Sequence, residues 1–229
     1  MGCRGLKIAI DGPGAAGKTS VGREVAHRLG YAFLDTGLLY RALTWVALSR
    51  GISADDAAAL TALAQEMHVE LYPAPPEAVE PTVIIVDGQD ITPFLRHPEV
   101  EEAVSHISQI ASVREALLAL QRRLAGRACI VVAGRDIGTV VLPDADVKVY
   151  LDAPLAERAR RRLRQLRELG QRTTLEEVMR ELRHRDELDS QRPVAPLRPA
   201  PDAVIIDTEG LSLEQVVERV MSLVEARCA

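Results

Sequence analysis

The chain reads as an α/β domain built on a parallel sheet, and three observations carry that reading. Short apolar runs alternate with segments of helical period along most of the 229 residues. The first apolar run leads straight into a glycine loop and then a helix, a strand–loop–helix unit. One proline-interrupted stretch, residues 68–97, breaks the alternation with β signals of its own and is expected to be a small insert. With 47% of residues hydrophobic and 27% charged, there is enough apolar material for a sizeable core.

Each element has a local reason. Leu6 to Ile10 is an apolar strand ending at Asp11. Lys18 to Leu29 is a helix that Gly30 ends. Phe33 to Asp35 suits a second strand, and Leu38 to Arg50 a helix closed by Gly51. Ser53 with Asp56 resembles a capping box for a helix running to about Met67. Val69 to Tyr72 alternates in polarity. Pro73, Pro75, Pro76 and Pro81 then break the chain, and Val83 to Val86 is a strand followed by the hairpin pair Asp87-Gly88. Helices are expected from Pro98 to about Leu124. Cys129 to Ala133 and Val147 to Leu151 read as buried strands. Leu155, Ala159, Leu163 and Leu166 form a helical stripe, and Thr174 with Glu177 is a capping box opening a helix that Pro193 must end. Ala203 to Ile206 is a last strand, and Ser212 with Gln215 caps a final helix.

Composition excludes several functions. The formal net charge is −5, and seven aromatic residues leave little for base stacking, which disfavours a nucleic-acid binder. No apolar run approaches the ~20 residues of a membrane span, and the first residues lack the pattern of a signal peptide. Cys3, Cys129 and Cys228 have no metal spacing, so three reduced thiols in a cytoplasmic protein are expected, with a disulfide pair as the lesser alternative. Charge is unevenly spread: residues 51–104 hold eleven acidic side chains against Arg96 alone, whereas residues 158–167 hold six arginines and no acid. Only three of the 28 basic residues are lysines. One of them, Lys18, stands in the glycine loop.

That loop, Gly12-Pro13-Gly14-Ala15-Ala16-Gly17-Lys18-Thr19, matches G-x-x-x-x-G-K-[ST] in full, with a strand before it and a helix after it. Small residues free backbone N–H groups to wrap phosphate oxygens, and the helix N-terminus adds partial positive charge. Gly12 to Thr19, together with Ser20, are the expected ATP-binding residues. Lys18, expected in a solvent-facing loop, would reach the β- and γ-phosphates, and the Thr19 hydroxyl would ligate Mg²⁺. Nucleotide binding follows from this motif; the reaction does not.

The arginines point to transfer rather than hydrolysis. At helical spacing Arg158, Arg161 and Arg162 share one face, and Arg160, Arg164 and Arg167 another, expected to be solvated. In the next helix Arg185, Asp189 and Arg192 share a face, with Asp189 as orienting partner. Arginines on a helical hairpin can close over phosphates and exclude water, which would otherwise compete with the acceptor.

The residues together resemble bacterial cytidylate kinase, from about Ile8 to Leu223. Four separated blocks carry the resemblance: Ile10 to Lys18; Leu34-Asp35-Thr36-Gly37 with Tyr40-Arg41; Gly134-Arg135-Asp136-Ile137-Gly138-Thr139-Val140-Val141; and Arg185-Asp186 with Asp189-Ser190-Gln191-Arg192 and Ala195-Pro196-Leu197. A weaker block joins Val104-Ser105, Val113-Arg114-Glu115 and Gln121-Arg122. The resemblance implies a P-loop kinase fold with a central five-stranded parallel sheet flanked by helices, a β-containing nucleotide-binding insert and a helical lid. The core would be 1–35, 127–154 and 193–229; the acceptor region 36–126; the lid 155–192. It implies ATP-dependent phosphoryl transfer to CMP or dCMP, giving CDP or dCDP.

By the same resemblance Thr36, Arg41, Arg135 and Arg192 hold the acceptor phosphate, Arg185 and Asp189 sit at the ribose and lid hinge, and Ser105, Arg114 and Asp136 face the cytosine. Lys18, Arg135, Arg158, Arg162 and Arg192 are the expected catalytic set. The residue before Gly134 is often acidic in that family and is Ala133 here, so Asp11 is the candidate to support Mg²⁺ beside Thr19. The partners expected are ATP and CMP or dCMP, with no nucleic acid and no membrane, acting on a monomer. A kinase for UMP or AMP, and a nucleotide switch without catalysis, are the rival readings.

Overall fold

The structure is a computed structural model that describes residues 5–74, 82–126 and 129–228. The chain divides into two compact units, the first comprising residues 1–33 and 125–229 and the second residues 34–124.

The first unit is organised by a five-stranded parallel sheet. Its strands are β1 (Lys7–Asp11), β2 (Ala32–Asp35), which runs across the border between the units, β6 (Ile130–Ala133), β7 (Val147–Asp152) and β8 (Val204–Asp207), in the order β2-β6-β1-β7-β8. The remaining strands, β3 to β5, belong to the second unit. β1 lies between β6 and β7, parallel to both, with Ile10 opposite Ala133 and Val149. Fully buried strands read as continuous apolar runs rather than alternations, as Ile8, Ala9 and Ile10 do, each 0% exposed. Helices α1 (Lys18–Leu29) and α8 (Leu213–Cys228) cover the sheet through Val21, Val25, Val217, Val220 and Val224. Gly30 ends α1 in the left-handed conformation at φ +66°, as its position predicts. Because β1, β6 and β7 run parallel, the loops after them open at one edge, the ordinary place for a ligand in such a sheet.

The hairpin of α6 (Leu155–Glu168) and α7 (Leu175–Gln191) is held by Ala159, Leu166, Val178 and Leu182. Thr174 and Glu177 form the expected capping box, with Thr174 Oγ1 accepting from Glu177 N and Glu177 accepting from Thr174 N. Ser212 and Gln215 make the same reciprocal pair at the start of α8.

The second unit holds α2 (Gly37–Ser49), α3 (Ala57–Glu66), α4 (Pro98–Ile107) and α5 (Ala111–Ala125), which ends at the border with the first unit, and an antiparallel sheet of β3 (Val69–Pro73), β4 (Thr82–Val86) and β5 (Gln89–Asp90). Nine of the thirteen residues of α2 are buried, so it is a central helix, packed by α3 and α4. The β4–β5 turn is Asp87-Gly88, and both residues have positive φ, +50° and +81°, as a two-residue hairpin of this composition requires.

Two local readings are corrected. The cap of α3 is Asp56, which accepts from Ala59 N, while Ser53 accepts from Asp55 N in a turn ahead of the helix. Both residue types cap well, and the helix starts at the one that leaves the turn intact. Among the cysteines, Cys129 is a free thiol but Cys228 is disulfide-bonded, which overturns three reduced thiols. Which thiol meets another is set by the fold and not by spacing along the chain. Cys3 and the expected breaks at Pro75, Pro76 and Pro81 lie outside the described residues. Among the described residues no helix is long and apolar enough to cross a membrane.

Candidate active site

The loop between β1 and α1 is shaped by backbone that only small residues tolerate. Gly12 has φ +147°, and a Cβ there would stand 2.0 Å from Leu151 O. Ala15 and Gly17 also have positive φ, +60° and +94°. Gly17 caps α1 without any side-chain hydrogen bond, so the first N–H groups of the helix face a ligand position rather than a cap. Lys18 is not solvent-facing as its loop position suggested. It is 7% exposed, and Nζ donates to Pro13 O at 2.6 Å. The loop folds back over its own lysine, drawing the ammonium inward.

Asp11 ends β1 and is 3% exposed. Its two carboxylate oxygens accept from Ile137 N and Gly138 N, each at 2.7 Å. These amides open the π-helical turn Ile137–Val141, which follows β6 through Gly134, Arg135 and Asp136. Burial pushes the Asp11 carboxyl up to about 6, and neighbouring Asp136 adds to the rise; the two amide donors and Lys18 oppose it. Ala133 is buried at the end of β6.

Around the same edge a network of arginines and acids forms within the first unit. Arg135 Nε donates to Asp189 Oδ2 at 2.9 Å. Asp189 also lies 3.4 Å from Arg192 NH1, and Arg192 NH2 lies 3.7 Å from Asp136 Oδ1. Burial would raise the Asp189 carboxyl, but Arg135, Arg185 and Arg192 outweigh it and hold the group below the usual carboxylate range. The expected shared helix face of Arg185, Asp189 and Arg192 is corrected: α7 ends at Gln191 and Arg192 follows in extended backbone, and the shortest contact of Asp189 is Arg135, from the loop after β6.

The arginine-rich α6 divides differently from its helical faces. Arg158 is buried, with Nε donating to Ala153 O at 2.8 Å and NH1 to Gly14 O at 3.1 Å inside the glycine loop. Arg161 is turned away, to Glu157 and to the hydroxyl and carbonyl of Thr208. Arg162 is half-buried, and Arg160, Arg164 and Arg167 are exposed, as expected for the solvated face. From α7, Leu182 reaches the loop: a Cβ on Gly14 would stand 3.1 Å from Leu182 Cδ2. Asp186, quoted in the sequence only as part of a block, lies 2.7 Å from Arg158 NH1.

The remaining residues belong to the second unit. Thr36 precedes α2 and is 4% exposed. Arg41, one turn later, is 7% exposed and donates to both carboxylate oxygens of Glu101, at 2.9 and 3.0 Å. Glu101 was not singled out in the sequence, where it stands within an acidic run. Ser105 is half-buried on α4. Arg114 is buried, donates to Ser108 O at 3.2 Å, and sits over the Tyr40 ring at 5.3 Å; Gln121 Nε2 donates to the Tyr40 hydroxyl at 3.3 Å. Tyr40, quoted in the sequence only as part of a block, is buried, and its partners come from α5.

A phosphate loop with a buried lysine, and beside it arginines anchored on carboxylates and carbonyls, suit an anionic group that must be held without water. A family model described as cytidylate kinase matches residues 8–226. The cytidylate kinase of Geobacillus kaustophilus is 47% identical over 224 residues, covering 98% of each chain. A bifunctional pantoate ligase/cytidylate kinase of Synechococcus sp. (strain JA-3-3Ab) is 48% identical over 216 residues, 94% of this chain and 40% of that protein, so the chain spans less than half of that relative. A solved structure of an uncharacterized protein from Eubacterium ventriosum superposes with a TM-score of 0.51 at 11% identity, covering 96% of this chain and 98% of the other, a likeness of fold alone.

Proposed function

The chain belongs to the cytidylate kinase family, and from that premise we propose that it is a nucleoside monophosphate kinase that moves the γ-phosphoryl group of ATP to CMP or dCMP, giving CDP or dCDP. One observation carries most of the chemistry. In the first unit Arg158 touches the carbonyl of Gly14, and a guanidinium nitrogen of Arg135 lies 3.9 Å from the Cβ position of the same residue. Cations from helix α6 and from the loop after β6 thus meet at the phosphate loop.

The acceptor of the transferred group is a phosphate oxygen already ionised at neutral pH, since a phosphate monoester has a second pKa of about 6. No general base is needed. The protein's work is alignment and charge neutralisation. Gly12 to Ser20 take the triphosphate, with Lys18 leaving Pro13 O to share its ammonium with phosphate oxygens. Thr36, Arg41, Arg135 and Arg192 take the acceptor phosphate, Arg185 and Asp189 the ribose side, and Ser105, Arg114 and Asp136 the cytosine. Arg158 and Arg162 bear on the moving group. The 155–192 hairpin is the lid, and 36–126 the acceptor region.

Mg²⁺ is the expected cofactor. Among the described residues no three His, Cys, Asp or Glu side chains gather to hold a metal. A hydroxyl and a carboxylate, Thr19 and Asp11, suit an ion bound chiefly by substrate phosphates and water, as Mg²⁺ is in such sites. The Thr19 hydroxyl would ligate it, and Asp11, whose oxygens each keep a lone pair beyond the backbone contacts, would accept from a metal-bound water. When bound, the ion neutralises charge on the phosphates. Nucleotides are taken as the only partners of a cytoplasmic monomer.

The test is ADP formation from ATP with and without CMP, with CDP measured in parallel. Equal amounts of ADP and CDP, with little ADP when CMP is omitted, is the expected result. ADP formed at the same rate without CMP makes the protein an ATPase, and binding without turnover makes it a switch.

A further inference from the structure

Arg158 is an unusual lid arginine, because most of its donors already face protein. Nε donates to Ala153 O at 2.8 Å and NH1 to Gly14 O at 3.1 Å, and Asp186 Oδ2 stands 2.7 Å from the same NH1. Among the described residues nothing accepts from NH2. The guanidinium is therefore held at Nε and NH1 with NH2 left open, and the clamp reaches into the phosphate loop itself.

Asp186 is the only charged member of that clamp. The two carbonyls fix where the Arg158 nitrogens go, but they do not balance a buried positive charge. The position of Asp186 on α7 also explains why it is there. Leu182, one turn earlier, lies against Gly14, and Asp189, almost one turn later, takes Arg135. Leu182, Asp186 and Asp189 follow the i, i+4, i+7 spacing of one helix face. Asp186 Oδ1 is buried without a hydrogen-bond partner, a cost that packing alone does not repay. An aspartate kept at such a cost is kept for its charge.

Resting on the reading that this loop binds ATP, we infer that Asp186 is a positioning residue: it sets the Arg158 guanidinium so that NH2 meets the phosphates of ATP. It touches no substrate. Its effect passes wholly through Arg158, and this separates it from Asp189, whose contacts are Arg135 and Arg192. Losing Asp186 should therefore slow the transfer step while leaving the acceptor's binding alone.

A double-mutant cycle tests this, with Asp186→Asn, Arg158→Ala and the pair of substitutions together. Arg158→Ala is expected to lower kcat roughly 10²- to 10³-fold, the scale of one lost donor to developing charge. Asp186→Asn, which loosens the donor rather than removing it, is expected to cost about 10- to 100-fold in kcat. KM for CMP should stay within about twofold, and in the Arg158→Ala background Asp186→Asn should change kcat by less than about twofold, because positioning an absent side chain has no effect. Asp186→Glu should recover part of the loss. Losses that multiply in the double variant, a change confined to KM for CMP, or an Asp186→Asn protein that no longer folds would each make Asp186 a structural or acceptor-side residue and overturn the inference. Wild-type protein that fails to make CDP would instead refute the kinase reading, so the two failures are distinct.

Discussion

Replacing Lys18 with alanine should separate catalysis from folding. The side chain is 7% exposed and its ammonium donates to Pro13 O at 2.6 Å. Truncation removes that charge-assisted hydrogen bond, typically worth about 1.5–3 kcal/mol. It also releases the cost of keeping an ammonium out of water, which acts in the opposite direction. The net loss of stability should then be at most about 2 kcal/mol, a fall in Tm of less than about 8 °C for a chain of this size. The rate term has no such offset. A donor aimed at charge that develops during transfer is worth roughly 10²- to 10³-fold, or about 3–4 kcal/mol. A coupled assay of ATP-to-CMP transfer, run well below Tm beside a thermal melt, measures both. Transfer within about threefold of wild type would refute the assignment of the loop. So would a loss of activity that unfolding at the assay temperature fully accounts for.

Three further outcomes follow from the buried acids. On the proposed reading Asp136 accepts from the cytosine amino group, so Asp136→Asn should narrow the ratio of kcat/KM for CMP over UMP, mainly by losing CMP, from a wild-type preference of up to roughly 10⁴-fold; an unchanged ratio means that the base is read elsewhere. Asp11, pushed up from 3.8 to about 6, binds its proton more tightly in the folded than in the unfolded chain. Its contribution to stability is thus complete below the unfolded value and is lost as pH rises through the folded one. Relative to Asp11→Asn, wild type should therefore lose up to about 3 kcal/mol between pH 4 and pH 7 in denaturant titrations; a pH-independent difference, or one of opposite slope, refutes the burial account. In the same pair the acid limb of the pH–rate profile should persist, because it belongs to the acceptor phosphate. A limb that disappears with the Asp11 carboxyl would mean that transfer needs a carboxylate base.

What could be read from the sequence was local. The glycine loop, Gly30 closing α1, Thr174 with Glu177 opening α7 and Asp87-Gly88 turning the hairpin each act within a few residues, and each stands where its pattern predicts. Even there, Ser53 and Asp56 competed for one cap, and only the packed helix decides between them. The network around the loop was not legible, because its partners are far apart in the chain. Asp11 meets the amides of Ile137 and Gly138, Arg135 meets Asp189, and Arg158 meets both Gly14 and Asp186. Helical periodicity gave Arg158, Arg161 and Arg162 one face, yet Arg161 is drawn to Thr208 beyond the end of β8 while Arg158 reaches the loop. The burial of Lys18 was missed for the same reason, since a glycine-rich stretch looks exposed until it folds over its lysine.

The measurement that bears most directly on the account is the transfer rate from ATP to CMP, dCMP, UMP and AMP under one set of conditions, with CDP or its counterpart identified as product. The account predicts kcat/KM for CMP or dCMP far above that for UMP and AMP. Equal use of UMP, a preference for AMP, or no phosphorylated monophosphate from any of the four would contradict it.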